Sequence, residues 1–211
     1  MLDVRKVLVL APHTDDGELG CGGTVARLVE EGAAVTYVAF SICETSVRPE
    51  FPSDILAREV QAATQTLGIA AENLIIYRYP VRHFPQYRQE LLESLVSLRN
   101  ALNPDLVLLP AADDVHQDHQ TITQEGIRAF KHTTILGYEL PWNNLNFAGA
   151  AFVGLTDRYL DRKIAALRAY LSQQHRDYFS EDLIRGLARV RGQQAGQRYA
   201  EAFQLIRWLI P

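Results

Sequence analysis

Short, unbroken apolar runs that recur between helix-like stretches constrain the fold of this chain more than any other feature. Residues 6–11 read Lys-Val-Leu-Val-Leu-Ala and residues 105–109 read Asp-Leu-Val-Leu-Leu. Such a run is expected of a strand covered on both faces. Residues 34–40 give a second strand and residues 74–77 a third. Between them lie helical patterns. Residues 24–31 carry Val25, Leu28 and Val29 on one face. A helix capped by Ser53 or Asp54 runs to Leu67 and stops at Gly68. Residues 89–102 place Leu91, Leu92, Leu95 and Leu98 on an inner side, and Pro104 ends them.

Later strands are expected at 135–140 and 150–153. Residues 158–170 and 182–210 read as mainly helical, with an interruption near 192–196. Strands alternating with helices predict an α/β fold with a mostly parallel central sheet flanked by helices. The 211 residues, 47% of them hydrophobic, suit one compact domain over 1–211.

Composition removes several classes of function. Lys and Arg number 21 against 25 Asp and Glu, a net charge of −4. Nucleic-acid binding through phosphate contacts normally needs a basic excess. No apolar run approaches 18 residues, so no stable membrane insertion is expected. The run at 7–12 is too short for the core of a signal peptide, and a cytoplasmic location follows as the default. Cys21 and Cys43 give neither a disulfide framework nor metal-pair spacing, and are expected to be reduced and partly buried.

Two clusters carry chemistry. Pro12-His13-Thr14-Asp15-Asp16-Gly17-Glu18-Leu19-Gly20-Cys21-Gly22-Gly23 follows the first strand, and Asp113-Asp114-Val115-His116-Gln117-Asp118-His119 follows the fourth. In open α/β sheets ligands bind where strands end and helices begin. With strand order 3-2-1-4 the two clusters meet over one crevice. His13, Asp16 and His119 then offer three N/O ligands and leave a position for water, the pattern of a catalytic zinc site. The same ligands accept Fe²⁺, Co²⁺ or Mn²⁺. Asp15 is placed to act as general base on the bound water. His116 suits donation to an oxyanion or protonation of the leaving amine, and Asp118 suits orientation of an imidazole. Asp113 and Asp114 divide evenly between loop solvation and support of the site.

The glycines invite comparison with a dinucleotide loop, but Val25 stands where the third glycine of that motif belongs, and Glu44 is a weak ribose acid. They are expected to permit a tight turn and close helix-to-strand packing around the metal.

Together with His116-Gln117-Asp118-His119, the Pro12–Gly23 cluster resembles the PIG-L/LmbE family of zinc-dependent de-N-acetylases. The likeness extends to Arg191-Gly192-Gln193-Gln194-Ala195-Gly196 and Tyr199-Ala200-Glu201-Ala202-Phe203, which are similar to a segment of bacillithiol-type bacterial members. The resemblance implies a Rossmann-like three-layer sandwich and removal of an N-acetyl group from a GlcNAc-type moiety. It assigns metal ligation to His13, Asp16 and His119, the base to Asp15, stabilisation of the transition state to His116 and a supporting role to Asp118. One departure stands out: the family's usual Pro-Asp-Asp is Thr14-Asp15-Asp16 here, which loosens the turn slightly.

The partner is therefore a small N-acetylated, sugar-like molecule. The irregular segments 42–52, 79–87 and 141–147 are candidates for the pocket rim. They bring Trp142, Asn143, Asn144, Arg48, Arg78, Arg82 and His83, with Arg191 and Tyr199 nearby in the C-terminal motif. Two rival readings remain open: a metal hydrolase of another amide or ester, and a non-catalytic carbohydrate- or nucleotide-binding domain. The apolar stretch 205–210 fits a homo-oligomer contact as readily as the core.

Overall fold

The computed structural model describes residues 4–209, so Ile210, the end of that apolar stretch, lies outside them. Its strands are β1 (Lys6–His13), β2 (Ala34–Ser41), β3 (Leu74–Ile76), β4 (Leu106–Pro110), β5 (Thr134–Tyr138), β6 (Ala151–Leu155) and β7 (Tyr199–Arg207). Its helices are α1 (Asp16–Glu30), α2 (Ile55–Leu67), α3 (Arg88–Leu102), α4 (Gln117–Ala129), α5 (Asp157–Arg168) and α6 (Glu181–Gln194). The strands form one sheet in the order β3-β2-β1-β4-β5-β7-β6. The first five are parallel, while β7 runs antiparallel to both neighbours. The expected α/β class and 3-2-1-4 order both hold.

Two-sided burial makes the three layers. Val7, Val9 and Ala11 of β1 pack with Leu19 of α1, Val60 of α2 and Ile164 of α5, whereas Leu8 and Leu10 pack with Leu95 of α3 and Ile122 of α4. Each fully buried Leu or Val contributes about 1.5–3 kcal/mol over an exposed one. That is why a continuous apolar run, rather than an alternating one, encodes this strand.

The structure corrects the expected helix over 182–210. The helix stops at Gln194, Gly196 takes a left-handed φ of 65°, and the chain returns as β7. Ala-Glu-Ala favours a helix by propensity. Here ladder bonding to β5 on one edge and β6 on the other outweighs it. Ile206 packs on the core, and Leu205, Trp208 and Leu209 are exposed.

The glycine-rich segment is likewise not a turn. It is the first half of α1, broken at Cys21, where φ is −142° and ψ 20°. The expected close packing is real: a Cβ on Gly20 would lie 2.2 Å from Tyr138, and one on Gly17 2.6 Å from Tyr37. The break frees backbone groups that a continuous helix would satisfy. Lys163 Nζ donates to the Leu19 carbonyl at 2.7 Å, and the amides of Gly23 and Thr24 donate to the Glu201 carboxylate at 3.0 and 2.6 Å. Lys163 and Glu201, both buried, are themselves paired at 2.7 Å.

Cys21 and Cys43 are both free and buried, deeper than the expected partial burial. Among the described residues no helix is long and apolar enough to cross a membrane.

Candidate metal centre

Because β1 and β4 are parallel neighbours, their C-terminal ends lie side by side. From there the chain enters α1 on one face of the sheet and α4 on the other. That divergence opens a crevice at the switch point. His13 is the last residue of β1, and Asp15 and Asp16 open α1. Asp114 follows β4, His116 caps α4, and Asp118 and His119 lie in its first turn.

Three atoms converge. His13 Nδ1, Asp16 Oδ2 and His119 Nε2 form a triangle whose sides are each 3.1 Å. The far nitrogen of each ring is held by a carboxylate: His13 Nε2 lies 3.1 Å from Asp118 Oδ2, and His119 Nδ1 lies 2.7 Å from Asp114 Oδ2. With the ring protons assigned to those carboxylates, the near nitrogens both turn lone pairs inward, beside a carboxylate oxygen. Three converging lone pairs repel one another unless a positive charge sits among them. Donors about 2 Å from a tetrahedral ion are roughly 3.3 Å apart, so the triangle has the size of one face of such a site.

Electrostatics say the same. Burial alone would lower the pKa of both imidazoles, yet His13 is raised to about 9 by Asp16 and Asp118, and His119 to about 10 by Asp16 and Asp114. Burial would raise Asp16, but the two imidazoles hold its carboxyl well below the usual range. The centre attracts positive charge, whether protons or a metal cation.

His116 differs. Its Nδ1 accepts the Asp118 amide at 3.2 Å, which leaves the proton on Nε2. Burial, then His119 and His13, lower its pKa to about 4, so the ring is neutral and Nε2–H is a donor on the cleft wall. Nitrogens of His13, His116 and His119 also lie within 4.8 Å of one another, a looser group than the triangle with Asp16. Asp15, half-buried on the cleft wall, makes no side-chain bond to the helix it begins. Burial and the neighbouring Asp16 carboxylate raise its carboxyl to about 6.

The turn between these residues lacks the family's proline. Instead, Tyr37 and Tyr170 hydroxyls both donate to the Thr14 carbonyl, at 2.8 and 2.7 Å. Two buried phenols thus replace a ring constraint.

The cleft over the centre has a volume of about 300 Å³. Of the expected rim residues it takes Arg82, Trp142 and Asn143. The others stand elsewhere. Arg48 and Arg78 pair with Glu50 and Glu44, His83 is exposed ahead of a short 3₁₀ turn, and Asn144 closes its own turn by accepting the Leu140 amide. Arg191 pairs with Glu139, and Tyr199 lies under the Arg198 guanidinium in β7. Asp114 is buried against His119, while Asp113 is exposed and bonds Gln204. Gln173, Arg176 and Tyr178 complete the cleft wall, and no sequence signal marked them.

The chain matches the PIG-L family, described as GlcNAc-PI de-N-acetylase, over residues 8–130 and belongs to it. Diacetylchitobiose deacetylase of Thermococcus kodakarensis is 25% identical over 228 residues, covering 97% of this chain and 84% of that protein. A probable N-acetyl-α-D-glucosaminyl L-malate deacetylase 2 of Bacillus anthracis is 26% identical, covering 82% and 83%. Among solved structures, the N,N′-diacetylchitobiose deacetylase of Pyrococcus horikoshii superposes with a TM-score of 0.80 at 23% identity, covering 97% of this chain and 84% of that one. GalB, the 4-carboxy-2-hydroxymuconate hydratase of Pseudomonas putida, also reaches 0.80, at 20% identity and 98% coverage of both chains. The fold is therefore common to a deacetylase and a hydratase.

Proposed function

We propose that this chain is a metal-dependent N-deacetylase that hydrolyses the acetamide of a small GlcNAc-type amino sugar. The observation that carries the reading is the 3.1 Å triangle of His13 Nδ1, Asp16 Oδ2 and His119 Nε2, backed by Asp118 and Asp114. These three residues hold the ion, zinc in the first instance, and Fe²⁺, Co²⁺ or Mn²⁺ fit the same donors. When bound, it supplies electrophilic charge and acidifies a water.

The chain's own residues do the rest. Asp15, uncapped and raised toward neutrality, accepts the proton of the attacking water. His116, neutral with its proton on Nε2, donates to the oxyanion that develops on the acetyl carbonyl. Asp118 keeps His13 in the ligating tautomer and Asp114 does so for His119. Names of relatives support the substrate class: one curated protein above is named a diacetylchitobiose deacetylase and the other a probable N-acetyl-α-D-glucosaminyl L-malate deacetylase 2.

The likeness to a hydratase favours testing a second reading, in which the centre adds water across another bond. Acetate release is measured from small N-acetylglucosaminides and from N-acetyl amides and acetate esters, and hydration of unsaturated acids is followed separately as loss of their ultraviolet absorbance. The account expects acetate from the sugars and none of the hydratase chemistry. In Asp15→Ala, turnover falls about 10²–10⁴-fold while the bound ion is retained. Full turnover in that variant would remove Asp15 from the base role.

A further inference from the structure

We infer that the substrate carries an anionic group, a phosphate or a carboxylate, which Arg82 and Arg176 recognise. This rests on the deacetylase reading and specifies its substrate.

Most arginines of the chain already have an acid. Arg78 pairs with Glu44, Arg191 with Glu139, and Arg185 with both Asp161 and Glu181. In the cleft this is not so. Among the described residues no carboxylate pairs with either Arg82 or Arg176, and the only acids in the cleft lining are Asp15 and Asp16, which serve the metal centre. The charge of Arg176 reaches Asp15 only through space.

Arg176 is half-buried and held in place. Its Nε donates to the buried Gln173 Oε1 at 2.8 Å, and its guanidinium lies 5.7 Å over the Tyr178 ring. Tyr178 in turn stacks on Trp142, with centroids 4.4 Å apart and an interplanar angle of 17°. A cation so restrained, with guanidinium donors left over, is arranged for a planar or tetrahedral oxyanion.

Arg82 is placed by strain. Its φ of 69° lies in the left-handed region that non-glycine residues seldom adopt. Asp118 Oδ2 holds it there by accepting its amide at 2.5 Å, with the same oxygen that faces His13. The Arg82 guanidinium makes no hydrogen bond or ion pair among the described residues. Arg82 is exposed at the cleft edge, so its charge stands in solvent with no protein partner, and a left-handed backbone that persists beside a site is a mark of function.

The test compares kcat/KM for acetate release from neutral methyl N-acetylglucosaminide with that from N-acetylglucosamine 1-phosphate and from an N-acetylglucosaminide of a hydroxy acid. Wild type is expected to favour at least one charged sugar by tenfold or more, and the two arms say whether phosphate or carboxylate is preferred. In Arg176→Met and in Arg82→Met that ratio falls at least several-fold. Arg176→Lys retains part of it, and Arg58→Met, on the exposed surface, keeps all of it. Equal use of neutral and charged sugars overturns the inference, as does a preference that survives the double Arg82→Met, Arg176→Met variant. If no sugar releases acetate, the deacetylase reading fails. Titration of the same three sugars into metal-loaded Asp15→Asn protein then decides the inference, which falls if the charged sugars bind no tighter than the neutral one.

Discussion

Two buried charge clusters sit on the same helix, about one turn apart, and they are built in opposite ways. At the break of α1, Lys163 and Glu201 lie between a freed carbonyl and two freed amides, and each charged group finds an opposite charge and a backbone partner. At the start of α1, Asp16, His13 and His119 turn lone pairs toward a common point. The first cluster is complete without any ligand. The second is complete only with an added positive charge. Burial of charge by itself says little about function; the donor–acceptor count distinguishes a structural pair from a binding centre.

The largest expected effect breaks the first cluster. Glu201→Ala strands Lys163 as an uncompensated buried cation and should cost about 3–5 kcal/mol, read as a fall in Tm, while the folded fraction still takes up its metal ion. Loss of the ion without loss of stability would reverse the roles assigned to the two clusters. A smaller effect is expected behind the second cluster. Asp114→Ala frees the His119 ring and should weaken metal affinity about 10–100-fold, measured by competition with a chelator. Unchanged affinity would show that Asp114 does not orient the ligand.

A further difference is a pH dependence of stability that is present without metal and absent with it. Without metal, His13 and His119 have folded pKa values above the ordinary 6.5, at about 9 and about 10. Their contribution to stability is complete below about 6.5 and is lost as pH rises through 9–10. Chelated protein should therefore lose Tm steadily between pH 7 and 10. The metal-loaded protein should not, because ligation requires neutral imidazoles and displaces at least one proton at pH 7. Calorimetry in buffers of different ionisation enthalpy reads that release directly, and metal uptake without proton release would contradict it.

Much of this was legible in the sequence, for physical reasons that also explain the misses. Runs such as 6–11 and 105–109 encode strands buried on both faces, and the strand order then brings His13 and His119 together. The first half of α1 looks like a turn in the sequence because glycine is a poor helix former. Nothing local reports that Tyr37 and Tyr138 occupy the space their side chains would need. Strand β7 looks helical in the sequence because Ala-Glu-Ala has helical propensity and a strand bonded on both edges, buried over Ala200–Phe203, shows no alternation there. Arg176 precedes and Tyr178 lies within a three-residue 3₁₀ turn, Asp177–Phe179, which has no periodicity, and only the folded chain carries them to the cleft. Asp114 could be named but not assigned, since its role depends on the distance to His119.

The most direct test is the metal content of four single variants, His13→Ala, Asp16→Ala, His119→Ala and His116→Ala, each reloaded with zinc and measured by elemental analysis. The account predicts one ion per chain in wild type and in His116→Ala, and loss of the ion in the other three. An ion kept in Asp16→Ala but lost in His116→Ala would contradict it, and would move the ligand set to the three histidines.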